Sequence, residues 1–229
     1  MNSRERVKAC LNFKKPDRVP RDLWALPYVI SFQKEEYSEV IKEYPLDFKT
    51  SQLSPGLSDV TVKMLEKKGN YTDDWGSLWY IGEPGVIGEV KKPAIDDWPK
   101  LRKFKPLYKE YCDMIHNADK FAFFHTDGDT EEIFGDFVDV GIDAINSQLF
   151  TMNIEEIGKK YKWRITFWGE IDRQYILPFG TLEEVENAVK RVKSALYSGK
   201  GGIIAQCERG KNNSMQNIKT VFKVWNNQI

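Results

Sequence analysis

Residues 121–129 read FAFFHTDGD, and this change from an apolar run to polar residues decides the fold. Similar changes follow at 144–148, 165–172 and 203–208, and a segment with helical character follows each of them. The C-terminal ends of parallel strands open on one face of a sheet, so these polar groups are expected to converge. Four such endings in one half of the chain predict a site of the kind found in β/α enzymes.

Helices and strands alternate regularly from residue 106 onward. The best supported helix spans 182–198, where Thr181 and Glu184 form a capping box and the apolar residues share one face. The predicted helices are 106–118, 130–140, 154–161, 182–198 and 214–226, and the strands between them are 120–125, 143–147, 164–169 and 202–206. Repeated βα units imply a parallel sheet. We favour a TIM-type (β/α) barrel, although alternation alone does not distinguish it from an open sheet.

The first half of the chain does not show this regular alternation of helices and strands. Residues 19–24 are predicted to form a first strand, whereas Gly, Pro and short apolar runs recur over 46–98. This stretch is interpreted as an antiparallel insert or flap within a single domain that spans 1–229.

Composition excludes several partners. The 34 basic and 34 acidic residues cancel, so there is no basic excess for binding nucleic acid. No apolar run approaches the roughly 20 residues of a membrane span, and the first six residues lack the apolar core of a signal peptide. The chain has three widely spaced cysteines, Cys10, Cys112 and Cys207. This odd number and wide spacing favour a reducing cytoplasm over a disulfide framework.

His125, Asp127 and Cys207 are the candidate metal ligands. Imidazole and thiolate suit zinc, and a carboxylate can complete the set if the two strand ends meet. The simpler alternatives are that Asp127 caps the next helix and that Cys207 is a small buried apolar residue.

Glu170 and Asp172 are the candidate catalytic acids, because a buried carboxyl group can donate a proton near neutral pH. A solvated loop with a structural ion pair is the alternative interpretation. The predicted substrate-binding residues follow other strand ends or turns: Asp74, Trp75, Asn146, Gln148, Arg173, Gln174 and Glu208.

Short motifs distributed along the chain resemble one known family. They lie at 3–7, 16–20, 74–76, 125–128, 141–146, 167–172, 177–181 and 201–204. In this order they are similar to segments of uroporphyrinogen decarboxylase-like proteins, which include corrinoid-linked methyltransferases. The resemblance implies a TIM-type barrel with its site at the C-terminal strand ends.

The resemblance also implies chemistry. In the methyltransferases a His-x-Cys pair and a later Cys bind zinc; carried over, His125 and Cys207 match, and Asp127 replaces the middle Cys. This implies a zinc-assisted methyltransferase that works with a corrinoid protein or a thiol acceptor. The alternative is a tetrapyrrole decarboxylase, for which Arg18, Arg21 and Arg173 would have to anchor carboxylates, although the arginine-rich loop of the decarboxylases is not recognisable.

The middle strands of the family's barrel have no counterpart in this sequence. Only about five barrel strands can be assigned, so we expect an incomplete or rearranged barrel. An open barrel exposes strand edges and apolar surface, which a homodimer can cover. A shortened, non-catalytic scaffold or subunit is therefore a third interpretation.

Overall fold

The computed structural model describes residues 1–49, 67–73, 76–84, 88–97 and 107–226. Two sheets lie within these ranges. Five parallel strands form the larger one, in the order β1–β8–β7–β6–β5: β1 (Arg21–Ala25), β5 (Phe123–His125), β6 (Ala144–Asn146), β7 (Thr166–Trp168) and β8 (Ile203–Arg209). The predicted parallel sheet with flanking helices is confirmed.

The smaller sheet is antiparallel and lies within the segment interpreted as an insert. Its strands are β2 (Gly69–Thr72), β3 (Leu78–Ile81) and β4 (Glu89–Lys92), paired in that order. The pairing of β3 with β4 shifts register between Leu78 and Trp79.

Nine α-helices occur in the described residues. They are α1 (Ser3–Leu11), α2 (Pro27–Phe32), α3 (Lys34–Glu43), α4 (Tyr108–Asn117), α5 (Phe134–Asp139), α6 (Ile154–Tyr161), α7 (Ile176–Phe179), α8 (Leu182–Leu196) and α9 (Met215–Asn226). The predicted capping box at the start of α8 is present: Thr181 Oγ1 accepts a hydrogen bond from the Glu184 N–H, and the Glu184 carboxylate accepts one from the Thr181 N–H. The predicted helix over 130–140 is split, because a 3₁₀ turn over Glu131–Ile133 precedes α5. No helix in the described ranges has the length and apolar character needed to cross a bilayer.

Side chains alternate between the two faces of the parallel sheet. The outer face carries apolar residues such as Leu23, Ile145, Phe167 and Ala205, which join the core formed with α8 and α9. The other face carries polar and aromatic residues: Asp22, Trp24, His125, Asn146, Trp168, Gln206 and Glu208. Because consecutive residues of a strand point to opposite faces, one strand supplies both the core and the inner face.

The sheet is strongly curved. The rings of Trp24 in β1 and His125 in β5 lie 4.9 Å apart, centroid to centroid, although these strands occupy opposite edges of the sheet. In a flat sheet, four strand spacings would separate them by about 19 Å. The inner face is therefore concave. In the described residues the five strands form one curved parallel sheet, in which β1 pairs with β8.

Candidate functional site

Arg173 is the centre of the polar cluster at the C-terminal ends of the strands. Its guanidinium donates hydrogen bonds to both carboxylate oxygens of Glu208 at 3.1 Å and to Asp127 Oδ1 at 2.5 Å. Its Nε lies 3.6 Å from Glu170 Oε1. Asp127 follows β5, Glu170 follows β7 and Glu208 lies near the end of β8. These three carboxylates therefore share the positive charge of Arg173.

Glu170 is buried, with 4% of its surface exposed, and this burial raises its pKa to about 8. The positive charge of Arg173 opposes the shift, whereas the negative charges of Glu208 and Asp127 add to it. Burial also raises the pKa of Glu208, again against the effect of Arg173. A carboxyl group with this pKa is protonated at neutral pH and can donate a proton.

His125 is oriented by Asn146. The Asn146 Nδ2 group donates to the carbonyl oxygen of Trp168 at 2.6 Å and to Gln206 Oε1 at 3.1 Å, so its Oδ1 must face His125 Nδ1, 2.7 Å away. An amide oxygen only accepts hydrogen bonds, so Nδ1 of the neutral ring carries the proton. The unprotonated Nε2 points towards Asp127 Oδ2 at 3.7 Å and is available as a base.

A cavity of about 140 Å³ adjoins the Arg173 cluster. The predicted substrate-binding residues Gln148, Arg173 and Gln174 line it, together with the candidate acids Glu170 and Asp172. Gln148 also donates to Asp127 Oδ1 at 3.1 Å and accepts from the Gly128 N–H, which ties the loop after β6 to the loop after β5.

Asp172 has a structural contact in this loop. Its Oδ1 accepts hydrogen bonds from the N–H groups of Gln174 and Tyr175 at 2.8 and 2.9 Å, and so holds the turn that leads into α7. The predicted substrate-binding residues Asp74 and Trp75 lie outside the described residues.

The three predicted zinc ligands are not brought together. His125 and Asp127 are neighbours, but Cys207 lies in the apolar core between the sheet and its helices, on the face opposite to Gln206 and Glu208. Burial raises the pKa of its thiol far above the usual range, whereas zinc binds the thiolate. In the described part of the chain, no three His, Cys, Asp or Glu side chains form a group that could hold a metal ion. The predicted ligand set therefore does not fit zinc.

Sequence reasoning missed Asp22 as an inner-face residue. Its Oδ2 accepts hydrogen bonds from the indole Nε1 atoms of Trp24 and Trp168, both at 3.0 Å, and burial raises its pKa. The rings of Phe48 and Phe123 pack on Trp168. Asp22 and Trp24 flank the apolar Leu23 in the sequence, and this alternation could have indicated that both side chains lie on the inner face.

The chain is similar to known proteins at the level of structure. No family model matches the chain, and no curated protein matches it. Among solved structures, the chain is similar to a methyltransferase from Methanosarcina mazei, with a TM-score of 0.45 and 15% sequence identity. The similarity covers 56% of this chain and 37% of that protein, so the matched part is well under half of the methyltransferase.

Proposed function

We propose that this chain is an enzyme that transfers a methyl group from a small molecule to a thiol, with Glu170 as the general acid and His125 as the general base. The observation that carries the proposal is the buried, protonated Glu170 beside Arg173, on the same concave face as His125. The reaction class rests on the resemblance of the sequence motifs to uroporphyrinogen decarboxylase-like methyltransferases.

The two groups have complementary roles in the transfer. His125 Nε2 accepts the proton of the thiol, and the resulting thiolate attacks the methyl carbon of the donor. The bond between that carbon and the donor's oxygen or nitrogen breaks, and its electron pair leaves with this atom. Glu170 gives the leaving atom a proton, so that one proton is taken up and one is released. Asp127 and Arg173 link the two residues, because Asp127 faces His125 and pairs with Arg173.

A Brønsted acid at this position favours one class of methyl donor. Oxygen and nitrogen leaving groups need a proton, and Glu170 can supply it without a metal ion. The proposed donor is therefore a methyl ether or a methylated amine. A corrinoid protein, the other donor that the resemblance implies, has less need of Glu170 because its leaving group is a metal centre.

The tetrapyrrole decarboxylase has less support. Its substrate carries several carboxylates, which need cationic anchors at the mouth of the barrel. Arg18 donates to Asp47, and Arg21 stands at the start of β1, where its side chain donates to Asn226. Neither lies at the C-terminal strand ends, and Arg173 is already paired with Glu208 and Asp127.

The proposal is tested by methyl transfer from a panel of ¹³C-methyl aryl ethers and methylated amines to 2-mercaptoethanesulfonate. We expect Glu170→Gln and His125→Gln each to lower the turnover rate by about 10²–10⁴-fold, the usual size of a general acid or base contribution. Glu183→Gln on the exposed surface of α8 is the matched control and should leave turnover unchanged.

A second measurement does not depend on the choice of substrate. The carbonyl stretch of protonated Glu170, identified by its loss in Glu170→Gln, should disappear with a midpoint near pH 8. Full activity in Glu170→Gln would overturn the proposal, and so would an ordinary carboxyl titration together with no transfer from any member of the panel. In that case a non-catalytic scaffold would become the better interpretation.

A further inference from the structure

A second cavity lies away from the Arg173 cluster, near the start of β5. It has a volume of about 320 Å³ and lies between α1, residues 47–49 and the segment that leads into β5. This volume falls within the range of pockets that hold small organic ligands. None of the residues assigned above to acid–base chemistry lines it.

The lining of this cavity combines an apolar floor with basic side chains. Phe48, Phe121 and Phe123 are half-buried and supply aromatic surface, and Phe48 also packs on Trp168 behind it. The basic side chains are Arg4, Lys8, Lys49 and Lys120, all of them exposed. Arg4 and Lys8 stand one turn apart on α1 and therefore share a face.

Among the described residues, the positive charge of these four side chains is not balanced by ion pairs. In the described ranges none of the four forms an ion pair, whereas Asp47, an acid in the same lining, is neutralised by Arg6 and Arg18. Asp119 is the one other acid in the described part of the lining. The cavity therefore offers apolar surface at its floor and excess positive charge at its rim.

We infer that this cavity binds an amphipathic monoanion, a medium-chain fatty acid, whose alkyl chain covers the phenylalanine floor and whose carboxylate meets the basic rim. The apolar floor favours an alkyl chain over a purely polar ion. The unbalanced positive charge favours a carboxylate over a neutral or cationic head group. The site is separate from the proposed methyl-transfer site and does not depend on it.

Isothermal titration calorimetry of the full chain with three probes tests this inference: dodecanoate below its micelle concentration, dodecyltrimethylammonium and inorganic phosphate. We expect dodecanoate to bind with a stoichiometry of one and at least tenfold more tightly than either of the other probes. Dodecyltrimethylammonium has an alkyl chain of the same length but a positively charged head group. Phosphate is negatively charged but has no alkyl chain.

Charge reversal locates the binding. Lys8→Glu/Lys120→Glu should weaken dodecanoate binding at least tenfold, whereas the matched double variant Lys160→Glu/Lys223→Glu, on α6 and α9, should bind as the wild type does. Both pairs are exposed, so neither change is expected to unfold the protein. The inference is overturned if phosphate or dodecyltrimethylammonium binds as tightly as dodecanoate, if dodecanoate does not bind, or if the two double variants weaken it equally.

Discussion

The Nδ1 atom of His125 lies 2.7 Å from the Oδ1 atom of Asn146, and the other hydrogen bonds of Asn146 decide which of the two atoms carries the proton. The Asn146 amide cannot flip without placing its NH₂ group against the imidazole and its oxygen against the carbonyl of Trp168. A residue on β6 therefore sets the tautomer of a residue on β5 and leaves Nε2 free for chemistry.

We predict that neutral His125 is the Nδ1–H tautomer. The second histidine provides an internal contrast, because His116 Nε2 lies 2.8 Å from the Asp143 carboxylate and so should carry its proton on Nε2. The ¹⁵N chemical shifts, assigned with His125→Gln, should show the proton on Nδ1 in His125 and on Nε2 in His116. Asn146→Ala should convert His125 to a tautomer mixture without changing His116. Identical ring shifts for His125 in the wild type and in Asn146→Ala would rule out the role given to Asn146.

We predict that folding stability falls as the pH rises from about 5 to 8. The folded chain holds the Glu170 proton up to about pH 8, whereas an unperturbed carboxyl in the unfolded chain releases it near 4.5. Between these values the folded state binds more protons, so a rise in pH lowers the free energy of unfolding, by up to about 5 kcal/mol for a shift of this size. Glu170→Gln should remove this contribution.

Urea unfolding at several pH values, with wild type and Glu170→Gln measured side by side, checks this expectation. The free energy of unfolding of the wild type, relative to the variant, should decrease steadily across the window. Glu183→Gln should follow the wild type. Parallel pH profiles for wild type and Glu170→Gln would contradict the raised pKa.

We predict that Cys207 contributes to packing and not to metal binding. Its side chain is fully buried with the apolar core, so it should resist thiol reagents in the folded protein and react after unfolding. Cys207→Ala should leave the zinc affinity unchanged, measured by competition with a chromophoric chelator on protein without a histidine tag. A large loss of zinc affinity in this variant, with the fold intact, would restore Cys207 as a ligand.

We predict that Asp47 stabilises the packing of α1 against the start of β1. Its side chain is fully buried and accepts hydrogen bonds from Arg6 at 2.5 Å, from Arg18 at 2.6 Å and from the Arg21 N–H at 2.9 Å. Asp47→Ala leaves Arg6 and Arg18 without this partner and should cost about 3 kcal/mol of unfolding free energy.

The matched control for Asp47 is Asp139→Ala, which removes an exposed ion pair with Arg164 and should cost less than about 1 kcal/mol. Chemical denaturation measures both changes. Equal costs for the two variants would show that burial adds nothing to the Asp47 network.

The parallel strands could be predicted because apolar runs end abruptly in polar residues. β6 and β7 lie inside the predicted spans 143–147 and 164–169, and β8 continues three residues beyond 206 because Cys207, Glu208 and Arg209 pair with β1. Polarity at those three positions indicated a loop, yet they are buried in the sheet. The end of β8 is therefore set by its pairing with β1 and not by the local composition of the sequence.

The error at Cys207 has a simple geometric origin. A cluster of polar residues after a strand was interpreted as one group, although Gln206, Cys207 and Glu208 are still in the strand and alternate between its faces. Glu208 contacts Arg173 on one face of the sheet, so the preceding residue, Cys207, points to the opposite face. In contrast, Glu170 and Arg173 follow β7 on an irregular loop, which imposes no such alternation, and Arg173 Nε lies 3.6 Å from Glu170 Oε1.

The pairing of β1 with β8 has a consequence for biosynthesis. Arg21 lies opposite Ala205, so β1 finds its neighbour only after β8 has emerged from the ribosome. Until then the nascent chain must keep an unpaired edge and the aromatic ring of Trp24 away from other chains. The docking of β1 on β8 is therefore a late step in the assembly of this sheet.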